Sequence, residues 1–124
     1  MATRRMARRA PLIALLSLIA STGCASMITG GPLIRDENAP TGVIVVQNGS
    51  SAPVNVVLIS HCSASTYGLN RLPKDTEIDS GYSYRFTVTA GCWDVAAGST
   101  YTSSEARQRM EVEAGGGVRY TVTD

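Results

Sequence analysis

The sequence predicts an all-β fold, and three observations carry the prediction. Short segments rich in valine, isoleucine, threonine and aromatic residues recur every eight to twelve residues beyond position 41. Glycine, proline, asparagine and aspartate punctuate the intervals between them. The 3.6-residue period of an amphipathic helix is missing from the same stretch, apart from a faint trace over 104–109.

Taken in order, Val43-Ile44-Val45-Val46 is apolar on both faces, the pattern of a strand inside a sheet. Asn48 to Pro53 reads as a turn, and Val54 to Ile59 as a second buried strand. A polar loop follows from Ser60 to Lys74, and Ile78 leads into a turn at Asp79-Ser80-Gly81. From Tyr82 to Thr89 the alternation is clean: Tyr82, Tyr84, Phe86 and Val88 share the face expected to enter the core, while Ser83, Arg85, Thr87 and Thr89 share the other. Ala90-Gly91 makes a tight link to a strand over 92–97, after which 98–104 reads as loop. The last two segments, Gln108 to Val112 and Val118 to Val122, alternate on either side of Ala114-Gly115-Gly116-Gly117 and read as a β-hairpin. Six or seven short strands in roughly 80 residues predict a two-sheet sandwich of the immunoglobulin-like or transthyretin-like kind, occupying residues 42–124.

The first 41 residues have a different character. Arg4, Arg5, Arg8 and Arg9 precede the apolar run from Leu12 to Ala20, and small residues follow at Ser21-Thr22-Gly23. This is the three-part layout of an export signal, expected to span 1–23. The apolar run has nine residues, whereas a membrane-spanning helix needs roughly 20. Thr3-Arg4-Arg5-Met6-Ala7 matches a twin-arginine motif only at its two arginines. Residues 24–41 are rich in Gly, Pro and polar side chains and read as a flexible tether. Beyond the signal, seven basic and ten acidic residues leave a balance of −3. A mildly acidic domain with scattered cations offers no stripe for a phosphate backbone, which argues against nucleic acid as a partner.

Ile19-Ala20-Ser21-Thr22-Gly23-Cys24 resembles the end of a bacterial lipoprotein signal, with Ser21 standing where that family usually has leucine. The resemblance implies cleavage before Cys24, a diacylglycerol on its thiol and an acyl chain on its freed amine. Two or three chains, each contributing about 0.8 kcal/mol per buried methylene, anchor a protein essentially permanently. Ala25 lacks the aspartate that holds many such proteins at the inner membrane, so the resemblance implies an outer-membrane protein facing the periplasm. Ordinary signal-peptidase cleavage is the alternative, since Ser21-x-Gly23 also satisfies the small-x-small rule.

Cysteine parity bears on that choice. The chain has three cysteines, and exported domains normally pair their thiols. A Cys62–Cys92 bond would leave Cys24 as the odd one, at the expected cleavage junction. A second resemblance lies in Tyr67-Gly68-Leu69-Asn70-Arg71-Leu72, Ile78-Asp79-Ser80-Gly81 and Gly91-Cys92-Trp93-Asp94-Val95, which is similar to small exported bacterial β-proteins of unassigned function. It spans roughly residues 43–97 and implies a fold without implying an activity.

Few residues suggest chemistry. His61 is the single histidine, and with Cys62, Cys92 and Asp94 it could form a mixed metal site, which a disulfide would abolish. Ser60 and Ser63 are its sequence neighbours rather than members of a triad, and the Gly-x-Ser-x-Gly elbow is missing. Asp75, Glu77 and Asp79 alternate along a short segment, as solvated acids around a turn, as paired carboxylates or as a calcium site. The glycines at 115–117 lack the Lys-Ser/Thr of a phosphate loop. The sequence therefore leads to a non-catalytic envelope protein, without cofactor or metal, that supports or binds a protein or glycan partner. Tyr67 and Tyr101, both in loops, are the candidates for exposed contacts, while Trp93 is expected in the core beside the disulfide. A soluble periplasmic or secreted small-ligand or metal-binding module is the alternative. No motif specifies oligomeric state.

Overall fold

The computed structural model describes residues 31–124, except Tyr67, Ser103 and the side chains of Ser104 and Glu105. The signal of 1–23, Cys24, the first part of the tether and Tyr67 lie outside the described residues. The described chain is all-β, with six strands: β1 (Thr41–Asn48), β2 (Val56–His61), β3 (Ser83–Thr89), β4 (Gly91–Ser99), β5 (Ser104–Val112) and β6 (Gly117–Val122). They form two three-stranded sheets, ordered β3-β1-β6 and β2-β4-β5, which pack as a small sandwich.

Alternation decides which side chains enter the space between the sheets. Ile44, Val46, Phe86, Val88, Tyr120 and Val122 come from one sheet, and Val57, Ile59, Trp93, Val95, Met110 and Val112 from the other; all are buried. Val54, Leu72 and Ile78, which lie outside the six strands, join the same core. Val54 and Ile78 bridge each other in antiparallel fashion, with N···O distances of 2.9 and 2.8 Å. The second strand thus begins at Val56 rather than Val54, because Val54 turns away to pair with Ile78.

β1 is the middle strand of its sheet, as its two-faced apolar pattern predicts. β4 is the middle strand of the other and is longer than the sequence suggested, reaching Ser99. Its second half, Val95 to Ser99, is buried on both faces. Small residues at Ala96, Ala97 and Gly98 suit that burial, with Ala96 standing between Leu58 on β2 and Arg107 on β5.

The glycine-rich link at 113–117 is not a hairpin. β5 pairs with β4, and β6 crosses to the other sheet, where it runs parallel to β1 with Ile44 opposite Val118 and Val46 opposite Tyr120. The link is an arch between sheets. Alternation on both arms is satisfied equally by two strands that face each other across a core and by two that lie side by side. Gly42 sits under this arch: a Cβ there would fall 2.6 Å from the Glu113 carbonyl oxygen and 2.9 Å from that of Gly116. The faint helical trace over 104–109 is also overridden, since those residues pair with β4 along their whole length.

A second crossing is tighter. β3 and β4 belong to different sheets, and Ala90 alone separates them. Gly91 absorbs the corner at φ +142°, a conformation that residues with a Cβ avoid.

Candidate functional site

At one end of the sandwich, His61 and Trp93 stand directly opposite each other on β2 and β4, and one residue further on Cys62 and Cys92 are bonded. The Cα atoms of the two cysteines are 5.5 Å apart, within the ordinary range for a disulfide. Trp93 is fully buried and donates its indole N–H to the Thr89 carbonyl at 2.8 Å, so its polar atom is satisfied inside the core. The His61 ring meets the Trp93 ring edge to face, with centroids 5.5 Å apart.

Folding also brings Ser63 to His61. The Ser63 hydroxyl lies 2.8 Å from Nδ1, and the Ser63 backbone N–H donates to the same nitrogen at 3.2 Å. Nδ1 is therefore an acceptor and the neutral ring carries its proton on Nε2. Burial pushes the imidazole below its ordinary value, with the Arg35 charge acting in the same direction and Asp94 and Glu111 opposing. This is a closed two-residue turn, in which one nitrogen is occupied by its own loop. A nucleophile–base pair requires a further group to orient the base, and none of the described hydrogen bonds supplies one on Nε2. Ser60 is buried on β2. The bond between Cys62 and Cys92 removes both thiolates, and among the described residues no group of three or more His, Cys, Asp or Glu could hold a metal ion.

The opposite end is polar. Asn55, Asn70, Leu72, Pro73, Lys74, Asp75, Thr76, Glu77 and Asp79 line an open groove of about 540 Å³. The acids at 75, 77 and 79 thus share one depression rather than scattering around a turn, and Asp75 holds a left-handed φ of +61°. Tyr101 donates its hydroxyl to the Glu77 carboxylate while its ring stays exposed. That bond, with the neighbouring negative charge, raises the phenol above its ordinary pKa. The amides of the groove are committed to structure. Asn55 binds Thr100 through both its side-chain atoms. Asn70 accepts from the N–H groups of Val57 and Leu72 and donates to the Asn55 carbonyl.

Tyr82 corrects a sequence expectation. Tyr84 and Phe86 do lie together on the inner side, with ring centroids 4.9 Å apart, but Tyr82 is 69% exposed. It precedes the first residue of β3, where the alternation outruns the sheet that would have covered it. Among the described residues, Tyr82 and Tyr101 are the exposed aromatic side chains at this end.

Two organising residues carried no recognisable signal in the sequence. Asn48, read as part of a turn, is fully buried at the end of β1. Arg71, read as loop, lies along the outer edge of β2, its N–H donating to the Val57 carbonyl at 2.7 Å. Its guanidinium donates to the Ile59 carbonyl from Nε at 3.1 Å and from Nη2 at 2.9 Å, and Nη2 also donates to the Gly31 carbonyl. No protein-family model matches this chain, and no curated protein matches it in sequence.

Proposed function

We propose that this protein is a non-catalytic, lipid-anchored component of the bacterial cell envelope, its β-sandwich serving structural support or the binding of an envelope protein or glycan. One observation carries the reading. Cys62 and Cys92 are bonded to each other, which leaves Cys24, at the small-residue end of an export-type leader, as the thiol without a disulfide role. The disulfide itself suits an oxidising compartment. Ala25 favours the outer membrane, facing the periplasm, over retention at the inner membrane. The partner-facing surface in this reading is the end bearing Tyr82 and Tyr101, because both rings are exposed and Tyr101 adds a carboxylate partner at Glu77, combining apolar area with polar specificity.

Intact mass spectrometry of the protein extracted from membranes tests the anchor. The expected mass is that of a chain starting at Cys24, carrying a diacylglycerol and one further acyl chain, and two hydrogens below the dithiol form. Cys24→Ala is expected to move the protein to the soluble fraction without acyl mass. A cytosolic protein with its N-terminus intact and three reactive thiols would sink the reading. The groove beside Glu77 supports a second reading, a soluble module for a small polar ligand. Native mass spectrometry of the protein purified without exogenous ligand separates the two, by the presence or absence of a retained small molecule.

A further inference from the structure

We infer that the outer edge of β5 is a self-association surface: two copies of this chain join β5 to β5 in antiparallel fashion about a two-fold axis at Met110, fusing their β2-β4-β5 sheets into one sheet of six strands. The inference goes beyond the proposed function and does not depend on the lipid anchor. A sheet edge is a row of open N–H and C=O groups that another strand can complete. The four edges of this sandwich are treated unequally. Along β2, Arg71 donates its N–H to the Val57 carbonyl, and the Asn70 side chain accepts from the Val57 N–H. At the end of β3, Thr89 donates to the Leu33 carbonyl, and its hydroxyl accepts the Arg35 N–H. Among the described residues, no loop hydrogen-bonds to the backbone of 106–112 on the side away from β4. β6, the remaining edge, carries a single charge, Arg119, and so nothing that would fix a register.

β5 also lacks the usual protections of an edge. Its register against β4 runs unbroken from Ser104 opposite Ser99 to Val112 opposite Gly91, so no bulge twists it away. It contains no proline, and Ala106 and Gln108, which share the parity of the buried Met110 and Val112, carry no charge. What remains is a pattern on the outward side: Arg107, Arg109, Glu111 and Glu113, all exposed. A guard against pairing works best with one sign throughout, because a second copy is then repelled in every register. Here two cations are followed by two acids. Turned about Met110, the pattern sets Arg109 against Glu111 and Arg107 against Glu113, each twice. Moving the axis to 109 or 111 sets Arg109 against itself or Glu111 against itself. In the six-stranded sheet Arg109 lies between Asp94 on its own β4 and Glu111 of the second copy. It holds Asp94 at 2.9 and 3.1 Å while its side chain stays 64% exposed, so a second acid can approach. Glu111 faces Cys92 on β4, which supplies no cation. Exposed ion pairs add little strength each, so the main-chain bonds hold the copies together and the charges select the register.

The test uses purified full-length protein in a mild detergent, weighed by native mass spectrometry across a dilution series. The expected species is a dimer that dissociates on dilution, and more readily as ionic strength rises. Hydrogen exchange over residues 106–112 should slow several-fold from the dilute to the concentrated sample, while exchange over β6 stays the same. Glu111→Lys with Glu113→Lys makes the four outward charges all positive, and Arg107→Glu with Arg109→Glu makes them all negative. Each pair of substitutions is expected to weaken association roughly tenfold, and an equimolar mixture of the two variants to recover it as mixed dimers. The glutamate variant leaves Arg109 on Asp94, so it decides alone if circular dichroism shows the arginine variant unfolded. A chain that stays monomeric at every concentration, a dimer that survives the glutamate reversal, a mixture of folded variants without mixed dimers, or slowing on β6 instead of β5 overturns the inference.

Discussion

The two ends of the sandwich hold irregular chain in place by opposite means. Around His61 and Trp93 the fastening is covalent, through Cys62–Cys92, with the segment 31–40 hydrogen-bonded alongside to Thr89 and Ala90. At the far end it is one asparagine. The Asn48 amide nitrogen donates to the carbonyls of Ala52 and Ile78, both at 2.8 Å. Its oxygen accepts from the Ser50 N–H at 2.9 Å and the Ser50 hydroxyl at 2.6 Å. Its backbone pairs with Tyr82 and Gly81. All four side-chain positions are used. A disulfide acts chiefly by restricting the unfolded chain, whereas a buried amide contributes only once every partner is in place. The first fastening is lost on reduction; the second is indifferent to redox conditions and is lost when any one of its partners is displaced.

The largest expected effect comes from breaking the covalent end. The bond closes a loop of 30 residues, so reduction, or Cys62→Ala with Cys92→Ala, should cost roughly 3 to 4 kcal/mol. Urea unfolding with and without a thiol reductant measures this, and an unchanged midpoint would contradict it. Asn48→Ala attacks the other end: the Ala52 and Ile78 carbonyls each lose one of two donors, keeping the Ser50 hydroxyl and the Val54 N–H, and the buried Ser50 N–H loses its acceptor, at an expected cost of about 1 to 3 kcal/mol. Because the two ends share no partner, the two losses should add, which the combined variant checks by the same titration. The smallest effect is the pH dependence that His61 contributes at the disulfide end. His61 titrates below its ordinary 6.5 in the folded protein, so the unfolded chain takes up its proton first on acidification. Stability should therefore fall as pH drops below 6.5 toward the folded value and be unaffected above it. His61→Gln should remove that portion of the pH profile in thermal melts.

Much of the fold was legible because period-two alternation reports burial directly. Ile44, Val46, Phe86 and Val88 face the core as their spacing requires, and the cysteine pair follows from parity. Alternation is silent about neighbours, however. Nothing local in Val118 to Val122 says that its partner is β1, and the glycines before it accommodate an arch as readily as a hairpin. Tyr82 was misplaced because its pattern continues one step past the end of the sheet. The roles of Asn48 and Arg71 depend on carbonyls that approach from 30 and 40 residues away, at Ile78 and Gly31. No composition rule anticipates such a meeting. Of the candidate site, the disulfide and the exposure of Tyr101 could be read in advance, but the gathering of Asp75, Glu77 and Asp79 into one groove could not.

The parallel pairing of β1 with β6 has a kinetic consequence. β1 leaves the ribosome or an export pore long before β6, yet it is the strand on which both its sheet neighbours must assemble. Its β6 side stays open until nearly the whole domain has emerged. Closure over so large a sequence separation is slow compared with local hairpin formation, so Cys62 and Cys92 have both emerged while the sheet that covers their strands is still incomplete. The time between emergence and closure is the interval in which the chain most needs protection from aggregation.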